Sequence, residues 1–199
     1  MESKFFIFLF FLFGLFSCSN KIDYYNLPLL SSKGNYNAVI EIPAGSNKKF
    51  EYNNKTKTFE IDKKNGKNRI IQFLPYLGNY GFIPSTCSDP EKGGDGDALD
   101  VLILSESIPT GTILEIRPIA MLKLIDNGEI DYKIIAIPIN IERQIIKVKD
   151  YNEFSMIFPE IKLIIELWFL NYNKIESSKI EGWANEKKAI NEINENKLK

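Results

Sequence analysis

A glycine-rich acidic segment, residues 93–100 with the sequence Gly-Gly-Asp-Gly-Asp-Ala-Leu-Asp, runs directly into the apolar stretch Val-Leu-Ile-Leu at residues 101–104. Glycine allows the backbone to turn tightly, so the carboxylates of Asp95, Asp97 and Asp100 can converge at the start of a strand. Clustered carboxylates repel one another unless a cation lies between them, and oxygen ligands suit Mg²⁺, Mn²⁺ or Ca²⁺. The segment therefore predicts a metal site on a turn that leads into a strand.

This acidic segment also allows two other interpretations. A calcium loop of the EF-hand type begins Asp-x-Asp and would place Glu106 at its twelfth position. Against it, Leu99 occupies a ligand position, Asp100 replaces the glycine of the sharp turn, and the flanking segments predict strands and not helices. An isolated Asp-Gly-Asp is usually an ordinary solvated acidic turn. The rest of the chain weighs against that interpretation here.

The chain contains no histidine, which excludes imidazole bases, imidazole zinc ligands and Ser-His-Asp triads. Any chemistry must then rest on carboxylates, lysine, arginine, tyrosine and metal-activated water. The formal net charge of −1 provides no basic field for nucleic acid. A hydrophobic content of 44% in 199 residues is enough for one core, and nine tyrosines with many isoleucines and phenylalanines favour strands.

The first twenty residues differ from the rest of the chain. Lys4 precedes an apolar run over residues 5–16, which is shorter than the roughly 18–20 residues that cross a bilayer and is typical of a signal peptide. Leu-Phe-Ser-Cys at residues 15–18 resembles a bacterial lipoprotein box, in which cleavage leaves Cys18 as an acylated N-terminus. An ordinary secretory signal or an uncleaved anchoring helix remains an alternative. The sequence therefore predicts a signal peptide over residues 1–17 and a tether over residues 18–35 that begins at the lipidated cysteine. A globular domain is predicted over residues 36–199.

Lipidation predicts a location at the bacterial cell envelope, membrane-anchored and facing the periplasm or the exterior, with the cytoplasm as the alternative. Cys87 is the only other cysteine, so the sequence predicts no disulfide framework.

The remainder of the chain predicts strands first and helices last. The predicted strands lie at residues 36–42, 50–52, 58–62, 69–74, 101–104, 113–125 and 130–139. From Pro159 the apolar residues recur at helical spacing, and a second helix is predicted after Asn185 as its N-cap, burying Ala189, Ile190 and Ile193. Short strands followed by packing helices predict an α+β, mainly β fold: a small β-barrel with helices against its side.

Three further polar clusters accompany the acidic segment. Asp126 and Asp131 flank a predicted Asn-Gly turn, across which they could meet. A second cluster lies on or beside the first predicted strands and consists of Glu41, Lys49 and Glu51. The third cluster follows along the chain and supplies two cations and two phenols, at Lys67, Arg69, Tyr76 and Tyr80. Each cluster alone fits exposed surface charge. Together they offer acids for metals and cations and phenols for phosphate oxygens, which favours phosphoryl chemistry.

From about residue 41 to residue 183, these segments resemble in order the family I soluble inorganic pyrophosphatases. The segments that carry the resemblance are Glu-Ile-Pro-Ala at 41–44, Lys-Phe-Glu at 49–51, Gly-Lys-Asn-Arg at 66–69, Asn-Tyr-Gly-Phe-Ile-Pro at 79–84, Asp-Gly-Asp-Ala-Leu-Asp-Val at 95–101, Asp-x4-Asp-x-Lys at 126–133 and Glu-Gly-Trp at 181–183. The resemblance implies a five-stranded barrel of the OB type with flanking C-terminal helices. It also implies hydrolysis of pyrophosphate to two phosphates.

The resemblance further implies a role for each matching residue. Asp95, Asp100 and Asp131 would hold the activating metals, with Asp126 helping to bind metal that arrives with the substrate. Asp97 would orient and deprotonate a water that bridges two metals. The phosphate-binding residues would be Lys49, Arg69, Tyr80, Lys133 and Tyr172. Glu41 and Glu51 would act through water, and Tyr76 would line the same cavity. The implied cofactor is Mg²⁺, several ions per site, with Mn²⁺ as a possible substitute.

One departure from the family pattern lies beside Tyr172, which is followed by Asn173 where the family often has lysine; Lys174 comes one place later. A catalytically weak phosphate- or metal-binding module on the same barrel is therefore the rival hypothesis. Nucleic-acid binding is disfavoured by the charge and by the acid-rich site. A homo-oligomer is expected.

Overall fold

The computed structural model describes residues 21–173 and 177–198. The predicted signal peptide, Cys18 and Lys174 lie outside the described residues. The strands are β1 (Tyr36–Ile42), β2 (Phe50–Asn53), β3 (Thr58–Ile61), β4 (Lys63–Lys64), β5 (Lys67–Asn68), β6 (Asn79–Phe82), β7 (Asp100–Ile103), β8 (Ile113–Asp126), β9 (Glu129–Ile130), β10 (Lys133–Pro138) and β11 (Ser178–Asn185). The α-helices are α1 (Tyr151–Ile157), α2 (Pro159–Asn171) and α3 (Glu186–Glu195).

In the described part of the chain, β1, β6, β7, β10 and β8 pair in that order, and β8 pairs back with β1, so that five strands close into a ring. The long strand β8 makes this closure possible, since it pairs with β1 near its start, with β10 in its middle and with β11 in its second half. The mainly β fold with helices at its side is confirmed.

Strands β7 and β10 run parallel, with Val101 opposite Ile134. Both faces of this pair are buried, as short apolar runs in a parallel arrangement require. On one face, Leu102 and Ile135 pack in a cluster with Ile165, Trp168 and Phe169 of α2. On the other face, Val101 and Ile134 pack in a cluster with Ala189 and Ile193 of α3. The two helices therefore cover opposite sides of the strands that carry the acidic segment.

Two residues of the Asn-Tyr-Gly segment in β6, Asn79 and Gly81, make contacts that other residue types could not make. Asn79 is fully buried, and its side chain accepts from the backbone N–H groups of Ala44 and Ile108 while it donates to the Ser105 hydroxyl and the Glu106 carbonyl. Its amide thus joins β6 to the loops on either side. Gly81 lies so close to β1 that a Cβ atom would come within 1.9 Å of the Val39 carbonyl oxygen.

Several predicted elements are confirmed, and others are wrong. The first strand has the predicted bounds, α2 begins at Pro159, and the Asn185 side chain caps α3 by accepting from the Lys188 N–H. Ile190 is only partly buried. The strand predicted over residues 69–74 is a loop, and the strand predicted over residues 130–139 is interrupted by Asp131 and Tyr132, which separate β9 from β10. The sequence did not predict strands β6 and β11 or helix α1.

Residues 21–30, here called the N-terminal arm, pack against the domain, although the sequence places them in a tether. The rings of Tyr24 and Tyr25 contact Tyr52, and Leu29 is buried. The arm is also fixed through its backbone, because the Ser85 N–H donates to the Tyr25 carbonyl at 2.8 Å. Burying these aromatic and aliphatic side chains against the domain is more favourable in free energy than leaving them exposed to water in a tether. No helix in the described ranges is both long and apolar enough to span a bilayer.

Candidate active site

A cleft of about 450 Å³ opens where the starts of β7 and β10 approach β1, β2, β6 and the C-terminal end of α2. Of the residues that the sequence places in the site, its wall contains Glu41, Lys49, Glu51, Tyr76, Tyr80, Asp95, Asp97, Asp100, Asp131, Lys133 and Tyr172. Among the described residues this wall carries six carboxylates and two lysine ammonium groups. The acids come from separate segments of the chain, so the fold, and not the local sequence alone, concentrates the negative charge.

The acidic segment is held in place by close backbone contacts. Its N–H and C=O groups bond to Ser88, which accepts from Gly96 at 2.9 Å and donates to the Asp97 carbonyl at 2.7 Å. A Cβ on Gly94 would lie 2.2 Å from the Ser88 hydroxyl, and Gly96 has a φ of +85°. The Asp97 N–H donates to Asp95 Oδ1 at 2.9 Å. The glycines therefore let this turn lie against Ser88 while its carboxylates point to the cleft.

Lys133 forms the most deeply buried charged group of the cleft wall that the structure describes. Its ammonium donates to Asp100 Oδ2 and to Asp131 Oδ1, and its side chain is only 5% exposed. Burial alone would lower the pKa of Lys133, but the charges of Asp100 and Asp131 outweigh burial and raise it. The Tyr80 hydroxyl donates to the same Asp100 oxygen at 2.5 Å. Lys133 is thus a permanently charged group fixed between two carboxylates.

Asp97 lies in the wall with its side chain exposed to the cleft, beside the other acids. Burial raises the pKa of this carboxyl, and the charges of Asp95 and Asp100 raise it further. A carboxylate whose pKa is raised holds a proton more strongly once it has accepted one. General-base catalysis is most efficient when the pKa of the base approaches the working pH. The position and environment of Asp97 therefore suit a base that removes a proton from water.

Burial and neighbouring charges together set the pKa values of Glu41 and Lys49, and the two residues differ in which effect prevails. Glu41 is 7% exposed and accepts a 2.7 Å hydrogen bond from the Tyr52 N–H. Burial raises the pKa of Glu41 to about 8, with the charges of Asp100 and Glu51 contributing. The Lys49 ammonium lies 2.8 Å from Glu51 Oε1. Burial would lower the pKa of Lys49, but this ion pair raises it, so the ammonium stays charged.

Aromatic rings form the wall at the end of α2. Trp168 stacks on Tyr172 with an interplanar angle of 5°, and it also contacts Tyr76, whose ring is next to that of Tyr80. Burial raises the pKa of both Tyr76 and Tyr80 far above the usual value. These phenols therefore remain neutral hydrogen-bond donors at any physiological pH.

Comparison with known proteins shows to which protein family the chain with this cleft belongs. A family model described as inorganic pyrophosphatase matches residues 38–198, most of the chain. The chain belongs to the inorganic pyrophosphatase family. The inorganic pyrophosphatase of Neisseria meningitidis serogroup B is 36% identical over 166 residues, which cover 81% of this chain and 86% of that protein. The inorganic pyrophosphatase of Sulfolobus acidocaldarius is 33% identical over 162 residues, which cover 79% and 86%.

Solved structures of the pyrophosphatase family share the fold. The crystal structure of the inorganic pyrophosphatase from Thermus thermophilus has a TM-score of 0.74 at 27% identity and covers 88% of this chain and 97% of that one. An inorganic pyrophosphatase from Neisseria gonorrhoeae has a TM-score of 0.71 at 32% identity, with coverage of 86% and 96%. The similarity therefore extends over nearly the whole length of these pyrophosphatases.

The donor set of the cleft suits a hard divalent cation, since its candidate ligands are all carboxylate oxygens. Asp95, Asp100 and Asp131, which all line the cleft, could hold such ions. Within residues 21–173 and 177–198, no three carboxylates or thiols are arranged closely enough to enclose a metal as they stand. The Lys133 ammonium lies instead between Asp100 and Asp131.

Two residues that the sequence assigns to the pyrophosphatase site lie outside the cleft wall. Arg69 borders it: its guanidinium donates to Asp62 at 2.9 Å, and its carbonyl accepts from the Lys49 N–H. Asp126 ends β8, where its carboxylate accepts from the Ser178 hydroxyl of β11 at 2.8 Å. The register of β8 with β11 places Asp126 opposite Ser178, and the predicted meeting of Asp126 with Asp131 stays a prediction.

The sequence also missed residues that line the cleft. Besides apolar residues, these include Tyr25, Tyr52, Asn54, Trp168 and Phe169. Trp168 and Phe169 follow from the helical period of α2, whose inner face ends at the cleft. Tyr25 could have been found from the composition of residues 24–30, since Tyr-Tyr-Asn-Leu-Pro-Leu-Leu is too apolar for a solvated tether.

Replacing Glu41 by glutamine is expected to make stability less sensitive to pH. The folded protein holds the Glu41 proton up to about pH 8, whereas the unfolded chain loses it near pH 4.5. Wild-type stability therefore falls as pH rises between these values. E41Q is expected to gain on the order of 1–3 kcal/mol relative to wild type from pH 5 to pH 9. Urea unfolding in EDTA measures this, with E142Q, at an exposed glutamate outside the cleft, as the matched control. Parallel curves for E41Q and wild type would contradict the expectation.

Proposed function

We propose that the chain is a metal-dependent enzyme that hydrolyses inorganic pyrophosphate to two phosphates in this cleft. One observation carries the proposal: the acidic segment and the buried Lys133 lie side by side in one cavity of a protein of the pyrophosphatase family. A tetra-anionic substrate repels the water oxygen that must attack it, so the site has to supply positive charge and a base. The cleft residues can supply the base and part of that charge.

Eight of the cleft residues have a role in this reaction. Asp97 accepts the proton of the attacking water. Lys49 and Lys133 donate to phosphate oxygens as charged groups, and Tyr80 and Tyr172 donate without adding charge. Asp95, Asp100 and Asp131 would hold Mg²⁺, or Mn²⁺ in its place. These ions, when bound, lower the pKa of water from ~15.7 towards ~7 and neutralise the phosphate oxygens.

The fold of this enzyme is also part of the proposal. We infer that the ring of β1, β6, β7, β10 and β8 is the OB-type barrel that the resemblance implies. The number of strands and the closure of the ring through the long strand β8 support this.

Pyrophosphate hydrolysis by the purified chain tests the proposed function. We expect rapid release of phosphate with Mg²⁺, loss of release with EDTA, and recovery on addition of excess Mg²⁺. Mn²⁺ is expected to replace Mg²⁺ in part. If no divalent metal supports release, the chain is instead a phosphate- or metal-binding module, and Asn173 is the first residue to replace by lysine.

We propose that the enzyme is anchored to an envelope membrane through an acylated Cys18 and hydrolyses pyrophosphate outside the cytoplasm. The apolar run that ends at Cys18 supports this, together with the lipoprotein-box resemblance of residues 15–18. Mass spectrometry of the mature protein is expected to find a lipidated N-terminal cysteine, and C18S is expected to lose it. A mature protein that retains Met1 would contradict the proposal.

We propose that the enzyme self-associates through an exposed apolar face of α1 and α2. The exposed residues are Leu163, Ile164, Leu167 and Leu170, which recur at helical spacing on α2, and Met156 and Ile157 at the end of α1, each at least 40% exposed. Several large apolar side chains exposed on neighbouring helices favour an interface, and one surface can pair with itself across a two-fold axis. Light scattering is expected to give the mass of a dimer or larger oligomer, and L167E is expected to reduce that mass. A monomeric wild-type protein would contradict it.

A further inference from the structure

The N-terminal arm reaches into the active-site cleft through Tyr25. The ring of Tyr25 packs against Phe82 at a centroid distance of 4.6 Å and against Tyr52 at 5.2 Å, nearly perpendicular to it. Both partners are tied to cleft acids: the Tyr52 N–H donates to Glu41, and Phe82 is paired with Asp100 across β6 and β7. The ring of Tyr25 is therefore fixed in the cleft wall.

The Tyr25 hydroxyl is a hydrogen-bond donor without a partner among the described residues, although the side chain is half-buried. The phenol lies in the field of Glu41 and Asp97. Burial raises the pKa of Tyr25, and these carboxylates raise it further, so the hydroxyl keeps its proton. A neutral donor in a wall of carboxylates does not add to the charge that holds metals, and it is available to an oxygen atom of a ligand.

We propose that Tyr25 is a further substrate-binding residue of the hydrolysis, which donates a hydrogen bond to an oxygen of the phosphate group that lies on the Asp97 side of the cleft. Three observations carry this: Tyr25 and Asp97 line the same cavity, the ring is fixed on two strands, and the hydroxyl has no partner in the described chain. The inference rests on the proposed pyrophosphate hydrolysis. Because the family match begins at residue 38, this donor comes from a segment ahead of the matched region.

The arm supplies a matched pair of tyrosines for the test. Tyr24 contacts Tyr52 and Phe59 in the same way but is not part of the cleft wall. Y25F removes the hydroxyl and keeps the ring, so its melting temperature is expected to equal that of wild type. Y25L removes both and is expected to lower the melting temperature.

Steady-state hydrolysis with saturating Mg²⁺ is expected to show kcat/KM reduced about three- to tenfold in Y25F, the effect of one lost hydrogen bond, and unchanged in Y24F. Calorimetry of inorganic phosphate binding is expected to show a similar loss of affinity in Y25F, and this readout does not depend on turnover. If wild type binds phosphate but does not hydrolyse pyrophosphate, the proposed function fails while the role of Tyr25 is still measured. Wild-type kinetics and phosphate affinity in Y25F would overturn the inference. A melting temperature as low as that of Y25L would also overturn it, because the hydroxyl would then act in folding.

Discussion

Replacing Asp97 by asparagine is expected to lower kcat for pyrophosphate hydrolysis by about two to four orders of magnitude, the usual contribution of a general base. Asparagine is nearly the same size but cannot accept a proton at this step. Of the cleft carboxylates in the described structure, Asp97 combines a raised pKa with a place on the acidic turn, between Asp95 and Asp100. The change should therefore remove the base and leave the cleft otherwise intact.

The fold of D97N is expected to survive, since the contacts that hold this turn come from the backbone of Asp97 and not from its carboxylate. Circular dichroism and thermal unfolding check this. D89N is the matched control, because Asp89 lies in the preceding turn, where its side chain accepts from the Glu91 N–H, and it is not part of the cleft wall. D89N should keep near wild-type kcat. Undiminished turnover in D97N would show that another group accepts the proton.

Replacing Gly81 by alanine is expected to destabilise the protein by roughly 3 kcal/mol or more, as severe overpacking does. The added Cβ would lie 1.9 Å from the Val39 carbonyl oxygen and 2.9 Å from the Glu41 nitrogen. Both are backbone atoms of β1, so no side chain can move aside, and β1 must separate from β6. The ring of strands would open beside Glu41, so activity is expected to fall as well.

Urea unfolding of G81A measures this loss of stability. G34A is the matched control, because Gly34 has a φ of +79° and nothing within 4 Å of its added Cβ. It should therefore show only the cost of backbone strain, on the order of 1 kcal/mol. A midpoint for G81A equal to that of G34A would mean that the strands move apart without cost.

The acidic segment was predictable from sequence because glycine and aspartate report directly on turn geometry and on metal chemistry. The sequence also places Lys133, Tyr80 and Glu41 in the site through the family resemblance, and the structure brings them together. The contact of Asp126 was not predictable in the same way, since it depends on the pairing of β8 with β11, which places Asp126 opposite Ser178.

The elements that escaped prediction lack a clear local pattern. Strand β6 contains Asn79 and Gly81, both unfavourable in strands, and it forms because Gly81 allows close approach to β1 and Asn79 satisfies four backbone or hydroxyl groups. Strand β11 alternates poorly and depends on the second half of β8 for its partner. The sequence predicts a tether where the N-terminal arm lies, whereas its aromatic residues decide its position against the domain. Tertiary contacts, and not local propensity, determine these three segments.

The parallel pairing of β7 and β10 makes the contact between Asp100 and Lys133 tolerant of changes in the length of the segment that connects them. Asp100 and Lys133 are the first residues of these two strands, and the register of Val101 with Ile134 places them side by side at one edge of the sheet. Their proximity is set by that register and not by the segment that connects them. Insertions or deletions at the turn between β8 and β9 would lengthen or shorten this connection without moving Asp100 away from Lys133. Loop grafting at Asn127 and Gly128 is thus expected to leave the pairing of Asp100 with Lys133 intact.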